Sequence, residues 1–146
     1  MLTQSWLLYA LLSALCASLV AVFGKAGMKH IDSNLATTIR SIVMTLFLLA
    51  VCSALRLWSK LPTLDRKSLA MIVLSGLAGA LSWLFYFKAI QIGQVSQVAP
   101  IDKLSMPLAV LLAIIIFPTD RPTSVNWLGI ALIATGGYLA ALPRPH

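Results

Sequence analysis

One stretch of the chain combines the residue types needed for polar recognition with an apolar surrounding. Asp102 and Lys103 stand side by side between Pro100 and Pro107. Ionisable side chains within a membrane span are energetically expensive and mark functional sites. Proline lacks an N–H group, so a helix through these residues is expected to kink and to leave carbonyl groups without a donor. Carbonyl groups beside a charge can bind a polar ligand, and the stretch therefore predicts a recognition site.

Arg40 is the predicted partner of this site. Adjacent residues of a helix do not face each other, so Asp102 and Lys103 are not expected to neutralise one another. Arg40 and Asp102 each lie about five residues inside a predicted helix, a depth of roughly 7 Å. We therefore expect these two side chains to form an ion pair, which leaves Lys103 facing a cavity. The alternative is that the basic side chains reach the lipid headgroups and that the helix dipole stabilises Asp102.

The third apolar run carries small and polar residues at helical spacing. Ser75, Gly79, Ser82 and Tyr86 recur at intervals of four, three and four residues, which places them on one helix face beside Trp83. Such a face can line a cavity, and Ser82, Trp83 and Tyr86 are the candidate residues for its wall. The same spacing also suits close packing between helices through small residues.

Glycines of the last apolar run predict a contact surface. Gly129 and Gly136 are separated by seven residues, which returns them to one face of a helix, and Gly137 follows directly. Small residues let membrane helices approach closely. The spacing therefore predicts close helix packing or dimerisation, and these three glycines are the candidate dimer interface.

Composition places the chain in a membrane. Its 146 residues are 60% hydrophobic and 10% charged, against a charged fraction of about 25% in soluble domains, and its mean hydropathy is +0.93. The net charge of +7 comes from Lys and Arg that flank the apolar runs, so it indicates membrane-flanking charge and no nucleic-acid partner.

Catalytic and metal chemistry find little support in the sequence. No Glu is present, and Asp102 is the one carboxylate within a predicted span. Cys16 and Cys52 lie in apolar runs without a second ligand at metal-binding spacing, and His30 and His146 have no acidic cluster beside them. We expect no metal site, no cofactor and no enzymatic activity.

Charge-free runs predict an all-α integral membrane protein with five transmembrane helices in a single domain, residues 1–146. The first run lacks a basic start and is too long for a signal peptide, so it is taken as a helix. Asp32, Ser33 and Asn34 are capping residue types before the second helix. The approximate helices are 5–24, 35–56, 68–88, 98–117 and 124–142.

Basic residues are almost evenly divided between the two predicted sides of the membrane. The side of the amino terminus has Arg56, Lys60, Arg66, Lys67 and Arg121, and the opposite side has Lys25, Lys29, Lys88 and Arg144. Orientation follows the bias of Lys and Arg in short loops. Because this bias is weak, the sequence favours insertion in both orientations and assembly as an antiparallel pair. The alternative is a single orientation, decided by the amount and placement of charge near the helix ends.

Several segments together resemble one five-helix EamA domain of the drug/metabolite transporter superfamily. They are FGKAG at 23–27, LATTIR at 35–40, AIQIG at 89–93, SQVAP at 96–100 and NWLGIALIATGG at 126–137. The resemblance covers nearly the whole chain. It implies one half of a ten-helix transporter built as an inverted repeat, which would need a second copy.

The last three spans are also similar to small multidrug resistance transporters, which act as antiparallel dimers with a glycine-spaced final helix. Two departures limit the comparison. The first-helix Glu that couples protons to cationic drugs in those transporters is absent, and Thr119, Asp120 and Arg121 stand where EamA domains often have Gly-Glu-Arg. Drug–proton antiport is therefore not expected.

The sequence thus predicts a multi-pass inner-membrane transporter, an exporter of a small metabolite that works as a dimer by alternating access. Its partners are the lipid bilayer, a second copy and a small-molecule substrate, for which the basic residues slightly favour an anion or zwitterion. The alternative is a non-transporting subunit or scaffold, for example in moving a lipid-linked molecule between leaflets.

Overall fold

The computed structural model of the protein describes residues 5–117 and 122–142, and within these ranges it is helical without any strand. Thr119, Asp120, Arg121 and Arg144 lie outside the described residues. Five segments are long and apolar enough to cross a membrane, which confirms the predicted fold class. The helices are α1 Ser5–Gly27, α2 Ser33–Ala54, a 3₁₀ helix Leu57–Thr63, α3 Arg66–Ile92, α4 Val95–Asp102, α5 Ser105–Ile116 and α6 Ser124–Ala141.

The start of α2 follows from a side-chain cap. The carboxylate of Asp32 accepts hydrogen bonds from the backbone N–H groups of Asn34, at 2.8 Å, and Leu35, at 3.4 Å. These N–H groups have no acceptor within the helix, so the cap stabilises its first turn. The helix therefore begins at Ser33, two residues before the predicted start, and the predicted capping by Asp32 is confirmed.

A 3₁₀ helix and two side-chain hydrogen bonds order the connection between α2 and α3. Arg56 adopts a left-handed backbone conformation with φ of 52°, which ends α2 and turns the chain into the 3₁₀ helix. The indole Nε1 of Trp58 donates to Ser53 Oγ at 2.9 Å. Asp65 then accepts from the N–H of Ser68 at 3.0 Å and so caps the first turn of α3.

The chain divides into two compact units. The first unit, Val22–Gln91, has its buried residues where the end of α1, the start of α2 and the end of α3 meet; they are Met28, Ser33, Thr37, Phe87 and Ile90. The second unit contains the residues up to Ala21 and from Ile92 onward. Its buried residues include Ile130 and Gly137 on α6, which packs against α4 and α5.

Most apolar side chains are not covered by the chain itself. Ile92, Ile115 and Phe85 are 78%, 75% and 72% exposed, and they have many similar neighbours along every helix. Water-soluble monomers rarely expose contiguous apolar patches larger than a few hundred Å². This surface is therefore the one that lipid chains and other membrane helices cover.

Candidate functional site

The fourth span is broken at the charged pair that the sequence singles out. α4 ends at Asp102 and α5 begins at Ser105. Lys103 and Leu104 keep helical backbone angles, yet the hydrogen bonds through the break join residues three apart: the N–H of Lys103 donates to Pro100 O at 3.2 Å and that of Leu104 to Ile101 O at 3.0 Å. The break is thus one turn of tightened, 3₁₀-type helix.

One carbonyl that the sequence analysis expects to lack a donor has one. Pro107 cannot donate to the carbonyl of Lys103 in the usual helical pattern. In the structure the N–H of Met106 donates to that carbonyl at 3.0 Å, because the tightened turn brings a donor one residue closer. The expectation that the Lys103 carbonyl lacks a donor is therefore wrong, and a role of this carbonyl in ligand binding stays a prediction. The predicted distortion between the two prolines is present.

Asp102 and Lys103 contact each other directly. The distance from Lys103 Nζ to Asp102 Oδ2 is 3.3 Å, with the two side chains 63% and 34% exposed respectively. The expectation that these neighbours do not neutralise one another is wrong, because the long lysine side chain reaches back to the carboxylate. Arg40 lies in the first unit and Asp102 in the second, and their predicted ion pair stays a prediction.

A close approach of two helices lies beside the break. A Cβ atom built at Gly137 on α6 would lie 2.9 Å from the Pro100 carbonyl oxygen on α4, which is closer than real Cβ atoms come to backbone. Gly137 therefore packs against α4 of its own chain. Gly129 and Gly136 have no such neighbour within 4 Å and present open space along α6.

A groove of about 420 Å³ runs between α5 and α6. Asn126 is the polar side chain of its wall, and the sequence analysis does not single this residue out. Asn126 could have been identified from the sequence as a polar residue in the first turn of an apolar helix. The lining residues are Met106, Val110, Ala113, Pro122, Asn126, Gly129, Ile130 and Ile133.

Arg40 and Trp83, both predicted site residues, are brought together in the first unit. The guanidinium carbon of Arg40 lies 3.9 Å from the centre of the Trp83 ring and 4.3 Å from that of the Phe87 ring. Both contacts are within the range of a cation–π interaction. The sequence analysis misses Phe87, which follows Trp83 by four residues and so shares its face of α3.

The remaining predicted wall residues differ in their surroundings. Tyr86 is half-buried and meets the Phe87 ring edge to face, with 5.5 Å between ring centres. Ser82 is exposed. Ser33 is fully buried, and its hydroxyl has no hydrogen-bond partner among the described residues.

A lysine holds the end of α3 in this unit. Lys25 Nζ donates to the carbonyl oxygens of Ile90 and Gln91. The last carbonyls of a helix have no donor within it and carry the negative end of its dipole, so a cation there is stabilising. The amide of Gln91 in turn donates to Ile31 O at 2.9 Å. Lys25, expected only as flanking charge, is therefore part of the packing.

Metal-binding and redox groups do not gather in the described residues. No cluster of three His, Cys, Asp or Glu side chains occurs in residues 5–117 and 122–142. Cys16 and Cys52 are free thiols.

Outside the spans, hydrogen bonds from Ser68 lower the pKa of Asp65 below its ordinary value.

Comparison with known proteins gives two matches. The sequence model of the EamA-like transporter family matches residues 4–142. A protein of Sinorhizobium sp described as "Uncharacterized transporter in cobO 3'region" is 40% identical over 141 residues, which cover 97% of this chain and 99% of that protein. No solved structure matches.

Proposed function

Because the chain belongs to the EamA-like transporter family, we propose that it exports a small metabolite across the inner membrane by alternating access as a dimer. Family and relative both point to transport and away from catalysis. These matches and the five apolar helices show that the protein is a multi-pass membrane transporter.

The observation that carries the finer proposal is the broken fourth span. In secondary transporters, substrate sites lie near the membrane midplane where helices are interrupted. Here the interruption coincides with Asp102 and Lys103, the charged pair inside an otherwise apolar span. A tightened turn between two prolines has fewer standard helical hydrogen bonds to break, so α4 and α5 can change their relative angle at low cost. The same turn thus supplies polar recognition and a hinge.

The proposed dimer rests on α6 and on the length of the relative. Gly129 and Gly136 share a face with open space in front of them, which is the surface that membrane helices use for close association. The Sinorhizobium protein is matched over 99% of its own length. Two copies in opposite orientations would create the inverted repeat of a complete transporter.

Transport is tested with the purified protein in phosphatidylcholine proteoliposomes. Vesicles are loaded with a panel of radiolabelled amino acids and carboxylates, and counterflow is measured for each. We expect saturable exchange of at least one compound, lost in Asp102→Asn and in Lys103→Gln. Matched controls are Asp65→Asn and Lys60→Gln, which neutralise the same charges outside the spans and should leave exchange unchanged.

Correct folding of each variant is checked by size-exclusion chromatography in detergent. Exchange that persists in both Asp102→Asn and Lys103→Gln would remove the charged pair from the pathway. Absence of exchange for the whole panel, together with copurification of a different membrane protein, would favour the alternative of a non-transporting subunit.

A further inference from the structure

The Arg40 guanidinium contacts two aromatic rings of α3. Trp83 covers it at 3.9 Å and Phe87 at 4.3 Å, measured from the guanidinium carbon to the ring centres. Phe87 is itself 2% exposed, because it packs beside Gly24, where any Cβ would overlap the Phe87 ring. Both contacts restrict the movement of the guanidinium, whose N–H groups point outward from its edges.

One of these edges is buried and has no acceptor. The Nε and Nη2 atoms of Arg40 are shielded from solvent, and no group in the described part of the chain accepts a hydrogen bond from them. These two nitrogens lie on the same side of the guanidinium, with their N–H bonds nearly parallel. Two parallel donors match the paired oxygens of a carboxylate or phosphate. A buried cation without an acceptor is costly, so an anion opposite this edge is strongly favoured.

The carboxylates of the described chain are already engaged. Asp32 accepts from the N–H groups that begin α2, Asp65 accepts from Ser68 at the start of α3, and Asp102 contacts Lys103. The fourth acidic residue, Asp120, lies outside the described residues. Ser33 does not serve Arg40 either: it lies seven residues away on α2, about 10 Å along the helix.

We propose that Arg40 is an anion-binding residue, whose Nε–Nη2 edge binds a carboxylate or phosphate group of a ligand while the guanidinium contacts the Trp83 and Phe87 rings. That this ligand is the transported molecule rests on the function proposed above, whereas the anion site itself does not. The ring contacts give the site a directional preference, because they restrict the rotation by which the guanidinium would meet a different acceptor. Lysine in its place would keep the charge and lose the paired donors.

Binding is measured without any transport, by NMR of isotope-labelled arginine side chains in phosphatidylcholine nanodiscs. The Nε–H signal of Arg40 is assigned by its absence in Arg40→Lys. We expect benzoate or inorganic phosphate to shift this signal downfield in a saturable way and to slow its exchange with water. Arg66→Lys, at the exposed start of α3, is the matched control and should leave the Arg40 response intact.

Affinity is then compared by the protection that the same anions give against thermal unfolding. Arg40→Lys should bind about tenfold more weakly or worse, since one charge-assisted hydrogen bond of the pair is lost. A signal that ignores both anions at every concentration would overturn the proposal. A shift of the Arg40 Nε–H signal in Asp102→Asn without added anion would also overturn the proposal, because Asp102 would then be the partner of Arg40.

A lipid headgroup is the other source of the same chemistry. Phosphatidylcholine carries a phosphate that is paired with its own choline cation, whereas phosphatidylglycerol adds a headgroup with a net negative charge. Competition between phosphatidylglycerol and benzoate is read from the Arg40 signal. A shift produced by the lipid alone supports the anion site and assigns it to the headgroup. A shift produced by benzoate in pure phosphatidylcholine assigns the site to a soluble ligand, even where the transport experiment fails.

Discussion

Replacing Gly137 with alanine tests the closest helix contact in the second unit. The new Cβ would lie 2.9 Å from Pro100 O and 3.8 Å from a Leu104 methyl group. Ordinary carbon–oxygen contacts need about 3.3 Å or more, so α4 and α6 must separate by a few tenths of an ångström. Overpacking of this kind costs about 1–3 kcal/mol. Alanine also favours a helix over glycine by about 0.5–1 kcal/mol, which offsets part of the cost.

Gly136→Ala isolates the steric part of this effect. Gly136 occupies the neighbouring position of the same helix, and a Cβ there meets nothing within 4 Å. The gain in helix propensity is the same in both variants and cancels in their difference. We therefore expect Gly137→Ala to unfold more easily than Gly136→Ala by about 1–3 kcal/mol. Gly76→Ala, an open position on α3, is a control away from the proposed interface.

Unfolding free energies are measured by denaturation in mixed micelles, followed by the loss of helical circular dichroism. Equal stability of Gly137→Ala and Gly136→Ala would refute the reasoning, because the Pro100 carbonyl would then not limit the approach of α6. Cross-linking in the same samples separates the two proposed roles of these glycines. Gly136→Leu should weaken the dimer, whereas Gly137→Ala should weaken the fold of the individual chain.

Three further predictions concern other parts of the chain. Lys25→Met should destabilise the first unit, because the terminal carbonyls of α3 lose their cation. Lys29→Met is the control, since it removes an exposed lysine from the following turn and should not change stability. Equal melting temperatures of the two variants would contradict the role of Lys25. Asp65 has a lowered pKa in the folded chain, so its ionised form stabilises the fold. This contribution is complete above the ordinary Asp pKa of about 3.9 and is lost as the pH falls through the lower folded value. The stability difference between wild type and Asp65→Ala should therefore vanish in strong acid, and a difference independent of pH would contradict this prediction. A carboxy-terminal reporter pair, one member active in the cytoplasm and one outside, should give signal on both sides of the membrane; signal on one side only would remove the antiparallel homodimer.

The spans and the position of the break are predictable because they depend on local properties. Apolar runs locate all five helices, once the second run is extended past Arg40 and the fourth past Asp102 and Lys103 to the length that a bilayer requires. Asp32 and the two prolines act on backbone groups within four residues of themselves. Features of this kind need no knowledge of which helices become neighbours, and the sequence predicts them well.

The surroundings of Arg40 could not be predicted in the same way. Its stacking on Trp83 and Phe87 depends on which faces of α2 and α3 meet, and helical spacing alone leaves that open. Gly136 and Gly137 illustrate the same point, because they are adjacent small residues, yet only one is filled by α4. The Asp102–Lys103 contact escapes prediction for another reason: adjacent side chains of a helix diverge at their Cβ atoms, yet the long lysine side chain reaches back to the carboxylate.

The two intramembrane charge sites are built for different tasks. Arg40 contacts two aromatic rings of α3, and one of them, Phe87, packs beside Gly24, so the orientation of the guanidinium toward a bound anion is restricted. Asp102 and Lys103 lie at a tightened turn and neutralise each other, so moving the pair through the membrane interior exposes less net charge than moving either residue alone. On the function proposed here, recognition of the anion belongs to Arg40 in the first unit and the conformational step to the broken span. A variant of Arg40 should therefore weaken substrate affinity with little effect on the maximal exchange rate. Replacing Pro107 with alanine, which straightens the broken span, should lower the exchange rate with little effect on affinity.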